Sequence, residues 1–231
     1  SDLKSDGSFF FFFPVSELNT RFHEGPVSIT ADGNTIYFSS ESFNSKLYEK
    51  NNVKRLKFGQ VHLFMAKKEE GKWTTIIPMP FNDKKYSTSN PSIDKEGKTL
   101  YFSSNMPGSI GGIDIWKVLV NNDGTYGVPQ NLGNKINTAG DESFPFITDD
   151  NVLYFASNGL IGFGGLDVFF IDLNKDDAPT NVGKPVNTEK DDFALTYNST
   201  KQLGYVSSNR SGEDHIYSSI PVCKGKIKVI V

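Results

Sequence analysis

Asp114, Asp167 and Asp214 each close a bend that opens with an asparagine, Asn105, Asn158 and Asn209. Carboxylate and amide oxygens are the hard ligands that calcium takes. Aspartates at bends also serve the fold, by accepting hydrogen bonds from backbone N–H groups of the preceding Ser-Asn turn. The capping role is the expectation, with neither a metal nor a cofactor. A second acidic set, Glu24, Glu142 and Asp192, lies five residues after Asn19, Asn137 and Asn187, and Ser87 falls at that place after Asn82. Near one mouth of a central channel these three would form a ring of carboxylates that holds a cation or a basic peptide. Taken singly, each would accept N–H bonds and fix its own connection, which is the reading preferred.

Catalytic chemistry is poorly supplied. The chain has no Gly-x-Ser-x-Gly elbow for a serine nucleophile. His23, His62 and His215 are far apart and lack metal-ligand spacing. Gly111-Gly112 and Gly164-Gly165 are not followed by Lys-Ser/Thr or by a helical pattern, so they are not phosphate cradles. A glycosidase needs two facing carboxylates, and no pair stands out from the turn aspartates. The reading is a chain that is not an enzyme.

The elements that carry these residues repeat. Ile36-Tyr37-Phe38, Leu100-Tyr101-Phe102, Leu153-Tyr154-Phe155 and Gly204-Tyr205-Val206 set their tyrosines 64, 53 and 51 residues apart. Each copy is preceded by a tight-turn sequence such as Asp32-Gly33-Asn34 or Asp149-Asp150-Asn151, whose residues tolerate positive φ. Each is followed by a glycine-rich bend, then an Asp-apolar strand. In two copies Tyr and Asp lie thirteen apart; the last shortens this to nine, with Asp214, and the first has His62 where the aspartate would stand. A third element, Tyr126…Asn131…Asn137 and its relatives, closes each unit.

Four short strands per period of about fifty residues predict an all-β chain, a β-propeller of four-stranded antiparallel blades. Five blades are favoured and six are the alternative, with the first blade incomplete. The expected division is a propeller over 1–221, comprising the end of a partial blade over 1–20 and blades at about 21–82, 83–137, 138–187 and 188–221. Residues 222–231 alternate Lys with β-branched side chains and are expected to be the first strand of a following β-sandwich-like domain. Phe9 to Phe13 read either as a buried strand or as placeholders for unassigned side chains.

Composition narrows the partners. Net charge is −3 and no basic face is visible, which argues against nucleic acid. One cysteine, Cys223, allows no internal disulfide. No apolar run reaches the eighteen or so residues of a membrane helix. The long insertion from Glu41 to Gln60 mixes Lys, Asn and Ser with Phe43, Leu47, Tyr48, Leu56 and Phe58, and it is the candidate docking element. A self-packed or disordered loop is its other reading.

Leu18 to Pro26, Leu132 to Pro145 and Tyr205 to Gly212 resemble the WD-like, TolB-type propeller repeats of OmpA-family periplasmic proteins in bacteria with a type IX secretion system. The resemblance covers roughly residues 14 to 221. It implies a periplasmic, outer-membrane-associated scaffold that binds protein subunits of an envelope complex. Peptidoglycan would be reached only through an OmpA-like domain outside this chain. The alternative is a ligand-binding or hydrolytic propeller acting at its channel mouth.

Overall fold

The computed structural model of the protein describes residues 14–43, 45–51, 56–198 and 200–219. Every regular element among them is a strand. β1 (Glu24–Ile29), β2 (Thr35–Glu41), β5 (Val61–Glu69) and β6 (Lys72–Pro78) form the first sheet, and β3 (Glu49–Asn51) with β4 (Leu56–Phe58) makes a separate ribbon inside it in sequence. β7 (Thr88–Ile93), β8 (Thr99–Ser104), β9 (Asp114–Leu119) and β10 (Gln130–Asn131) form the second. β11 (Glu142–Ile147), β12 (Val152–Ser157), β13 (Asp167–Asp172) and β14 (Thr180–Asn181) form the third. β15 (Asp192–Asn198), β16 (Leu203–Ser208) and β17 (His215–Ser219) make a three-stranded fourth. All pairs are antiparallel, and within each blade the strands pair in chain order, with β3 and β4 lying between the paired β2 and β5 in sequence, as blades of a propeller require. The described residues thus hold four blade sheets and the two-stranded ribbon. The run Phe9 to Phe13 and the tail over 222–231 lie outside them.

The four repeat tyrosines sit at equivalent places in the second strands. Tyr37, Tyr101, Tyr154 and Tyr205 pair with Ser28, Ser92, Phe146 and Thr196 of the innermost strands. Alternation along a strand sends Tyr and the following residue to opposite faces. Phe102 accordingly packs with Tyr37 and Leu63 of the first blade, while Tyr101 packs with Leu153 and Phe155 of the third. Each blade is therefore glued to the next by the two residues of one dipeptide.

The last flank of this array is open among the described residues, and the first is exposed at its innermost strand while Ile36, Phe38, Phe64 and Ala66 are buried with Leu18. Ile93 and Ile147 of the innermost strands are buried against the preceding blade, at 7% and 6% exposure; their counterpart Ile29 is 48% exposed. At the other end Ile216 of β17 is 73% exposed, whereas its counterparts Leu63, Ile115 and Val168 are buried. No described sheet covers either flank.

Every innermost strand carries a register shift, between Glu24 and Val27, Ser89 and Ser92, Ser143 and Phe146, and Phe193 and Thr196. Asn90, Phe144 and Ala194 occupy the left-handed region there, with φ of 52°, 51° and 52°. Pro26 stands at the same place in the first blade, where its ring forbids positive φ. Bulges of this kind bend the strand and free backbone groups from the ladder. They do so along a cavity of about 510 Å³ lined by all four innermost strands, including Pro26, Pro91, Phe144, Pro145 and Ala194.

Candidate functional site

The second-to-third-strand connections all leave the propeller from one end. Register defines the equivalent residue near the start of each third strand: His62 opposite Ser40, Asp114 opposite Ser104, Asp167 opposite Ser157 and His215 opposite Ser208. The fourth blade therefore uses His215 at this place and not Asp214, which is exposed beside it. His62 occupies the place expected for it.

The aspartates cap. Buried Asp114 accepts from Ile110 N and Gly111 N at 2.7 and 3.1 Å, and from Asn131 Nδ2 at 2.6 Å. Asp167 accepts from Phe163 N and Gly164 N at 2.7 and 2.9 Å. The asparagines proposed to join them in a calcium site serve other donors. Asn105, Asn158 and Asn209 accept from Ser87 N, Asp141 N and Asp191 N. Among the described residues no group of three His, Cys, Asp or Glu side chains is placed to hold a metal ion.

The acidic set Glu24, Glu142 and Asp192 is bound to its own blade connections. Glu142 and Asp192 have no exposed surface, and none of the three lines the cavity. Glu142 accepts from Thr138 N, Thr138 Oγ1 and Ser157 Oγ, each at 2.7 Å. Asp192 accepts from Thr188 N and Oγ1 and pairs with Arg210 Nη2 at 2.6 Å. Glu24 accepts from Thr20 N and Oγ1 at 3.0 and 2.6 Å. The oxygens of the buried pair are spent on the connections and do not form a ring open to a ligand. In the second blade the counterpart is Thr88, opposite Ser104, and not Ser87, because that connection is one residue longer.

Sequence reasoning noticed the closing asparagines without assigning their work. The Asn137 amide accepts from Ile115 N at 2.8 Å and donates to Ile115 O at 3.0 Å, and Asn187 does the same for Val168 at 2.8 Å each. Asn82 repeats this with Leu63. One side chain thus takes the place of a fourth-strand residue and ends the ladder with its donor and acceptor both satisfied. The signal for it was the fixed asparagine six residues after Asn131 and Asn181.

The first blade departs from the others at its bend. No glycine bend exists for an aspartate to cap, and the insertion takes its place. Buried His62 donates from Nε2 to Asp83 O at 2.8 Å, and Ser45 Oγ lies 3.3 Å from its Nδ1 and 3.0 Å from Ser42 O. Burial pushes the His62 pKa below its ordinary value, opposed by the Asp83 carbonyl. A neutral imidazole joining two neutral partners is the arrangement that tolerates this burial. At the rim His23 Nδ1 meets Glu41 Oε1 at 2.6 Å, and that hydrogen bond holds the His23 pKa up.

Beyond this knot the insertion builds a cluster of rings and cations. Arg21 lies over Phe22 at 4.9 Å; Phe22 and Phe43 centroids are 5.5 Å apart, as are Phe43 and Tyr48. Lys57 and Lys50 approach the Tyr48 ring at 4.9 and 5.7 Å. Phe43 and Tyr48 are half-buried, Leu47 is 36% and Phe58 50% exposed. Leu56 belongs to β4 by its backbone. The structure thus brings Phe43 and Tyr48 into contact. The bends of the neighbouring blades add exposed Ile110, Ile161 and Phe163 at the same end.

Solved structures with this architecture include TolB from Acinetobacter baumannii, with 14% identity, TM-score 0.56, and coverage of 88% of this chain and 42% of that one. The fold is that of a TolB-type β-propeller. A TolB from Agrobacterium tumefaciens, described as putative, has 14% identity and TM-score 0.51 over 79% of this chain and 53% of its own. A puromycin-hydrolysing peptidase from Mycobacterium tuberculosis has 13% identity and TM-score 0.51 over 80% of this chain and 25% of its own. The chain therefore spans a quarter to about half the length of these proteins. No protein-family model matches it, and no curated protein matches it. Among the described residues no helix is long and apolar enough to cross a membrane.

Proposed function

We propose that this chain is a non-catalytic periplasmic propeller scaffold that docks a protein partner within a cell-envelope assembly. The finer assignment rests on the resemblance of its repeats to those of OmpA-family proteins, PorE among them. On that reading the assembly is of the type IX secretion or gliding kind, outer-membrane-associated, with a wall-binding OmpA-like domain downstream. The observation that carries docking is the insertion. Among the described residues only the first blade replaces a short bend with a ribbon bearing a ring-and-cation cluster. Rigid blades suit this role because they hold loops at a fixed end.

A chain in which residues 48–57 are replaced by a short Gly/Ser linker, keeping Ser45 and its His62 contact, tests this. Thermal unfolding is expected to stay near wild type, since surface loops contribute little to closure entropy. Capture of the partner from native envelope is expected to fall. Undiminished capture overturns the insertion as the interface.

The cavity of about 510 Å³ supports a second reading, a ligand-binding or hydrolytic propeller acting at its channel mouth. Its wall combines proline, phenylalanine and the aliphatic Val27, Ile29, Ile93, Ile147 and Leu195 with small and hydroxyl side chains, and its charged groups, Asp94, Lys95 and Asp149, come from the end opposite the insertion. Saturable binding of small ligands lost on Ala194→Phe would favour it.

A further inference from the structure

We propose that the β3–β4 ribbon takes an extended acidic segment of a partner polypeptide, with a carboxylate seated between Lys50 and Lys57. This deepens the docking reading above and rests on it. The central observation is register: Lys50 and Lys57 are direct cross-strand partners. Like charges placed opposite one another in an antiparallel pair oppose its formation. Both ammonium groups are drawn to the Tyr48 ring, and neither forms a salt bridge among the described residues. An anion between them turns that repulsion into attraction from both sides.

Charge distribution points the same way. Residues 41–60 carry Lys46, Lys50, Lys54, Arg55 and Lys57 against Glu41 and Glu49, and Glu41 is engaged by His23. The insertion is thus locally cationic on a chain whose net charge is −3. The tight turns at the opposite end carry Asp32, Asp94, Glu96, Asp149 and Asp150 against Lys95, Lys98 and Lys201, so that end is not cationic. Complementary potentials of this kind steer and orient association.

Backbone geometry selects a polypeptide over a lipid surface. The ribbon is a sheet of two strands, and neither β3 nor β4 pairs with any other described strand. Among the described residues no strand lies on either outer edge, so an extended peptide can add there by strand pairing. A headgroup layer offers no such ladder. The rings of Phe22, Phe43 and Tyr48 are also packed against one another at tilted angles and half-buried, not presented as wedges. Phe58 and Leu47 remain exposed at the ribbon for apolar side chains that alternate with the acids.

The test uses the full chain and a fluorescein-labelled twelve-residue peptide of alternating Glu and Val, read by anisotropy. A Gln/Val analogue, a Lys/Val analogue and phosphatidylglycerol vesicles complete the set. Binding of the Glu/Val peptide is expected, weakening at least tenfold in Lys50→Glu/Lys57→Glu and falling with added salt. The charge-reversed variant is expected to gain the Lys/Val peptide, which a damaged fold would not do. Equal binding of the Gln/Val analogue, or equal binding of Glu/Val to the variant, overturns the proposal. So does failure of the peptide alongside sedimentation of the chain with vesicles, which would make the ribbon a membrane contact. Envelope capture separates the two levels. Loss with the 48–57 replacement but retention with Lys50→Gln/Lys57→Gln sinks the acidic segment and leaves docking intact; retention with both sinks docking itself.

Discussion

Removing one amide, in Asn137→Ala, is expected to destabilise the propeller more than its size suggests. The side chain accepts from Ile115 N, donates to Ile115 O and donates to Asn131 Oδ1 at 2.8 Å. Ile115 has no exposed surface, and Asn137 itself is 1% exposed. Truncation therefore strands the buried Ile115 N–H and removes one of two donors from Ile115 O, which keeps Leu132 N, and from Asn131 Oδ1, which keeps Gly133 N. Each unsatisfied buried group costs about 1–3 kcal/mol. About 2 kcal/mol for the stranded N–H and about 0.5 kcal/mol for each of the two lost donations give about 3 kcal/mol. For a chain of this length the urea slope lies near the upper end of the usual range, about 3 kcal/mol/M, so the midpoint drops by about 1 M. The melting temperature drops by about 6–12 °C. Asn134→Ala, on the same connection but exposed, is the control and is expected within about 0.5 kcal/mol of wild type. An Asn137→Ala midpoint indistinguishable from the Asn134→Ala midpoint would refute the idea that one side chain replaces a strand here.

Phe155→Ala removes a ring with 1% exposure from the junction of the second and third blades and is expected to cost about 3–5 kcal/mol by urea denaturation. Asp167→Ala uncaps Phe163 N and Gly164 N and is expected to cost about 1–3 kcal/mol; a midpoint equal to wild type would contradict the cap. Gly111→Ala drives its Cβ into the carbonyl oxygens of Thr138 and Gly140, both backbone atoms, and is expected to cost about 1–3 kcal/mol. His62 has a folded pKa below its unfolded value, so the unfolded chain binds the extra proton as pH falls through the unfolded pKa. The stability of wild type relative to His62→Gln is therefore highest above pH 6.5 and declines on acidification below it, levelling once the folded pKa is passed; a difference independent of pH between 7.5 and 5 would remove His62 from the account.

The repeat was legible because it is local. Tyr-Phe dipeptides, turn residues and closing asparagines recur at short spacings, and strand alternation alone predicts that the two rings of each dipeptide face different neighbours. Tyr101 and Phe102 do so. Register was less legible where identity and pattern disagreed. Matching on aspartate selected Asp214, whereas the apolar pattern Ile115-Trp116, Val168-Phe169 and Ile216-Tyr217 selects His215, and backbone pairing follows the pattern. The reason is that burial of alternate side chains sets register, while a polar residue at a strand end is free to change.

Burial decided the acidic set. Sequence spacing put Glu24, Glu142 and Asp192 at equivalent places, but a carboxylate at a channel mouth and one folded under its own connection have the same spacing. Only the tertiary arrangement showed Thr138 and Ser157 enclosing Glu142, and Arg210 reaching Asp192. The ring-and-cation cluster is of the same kind. Residues 41–60 supply the aromatic and basic side chains, yet Arg21 and Phe22 come from before β1, and the facing of Lys50 and Lys57 depends on where the ribbon turns. Composition determines which groups are present; chain reversal and long-range packing determine which of them meet, because contacts between distant segments are written in no single stretch of sequence.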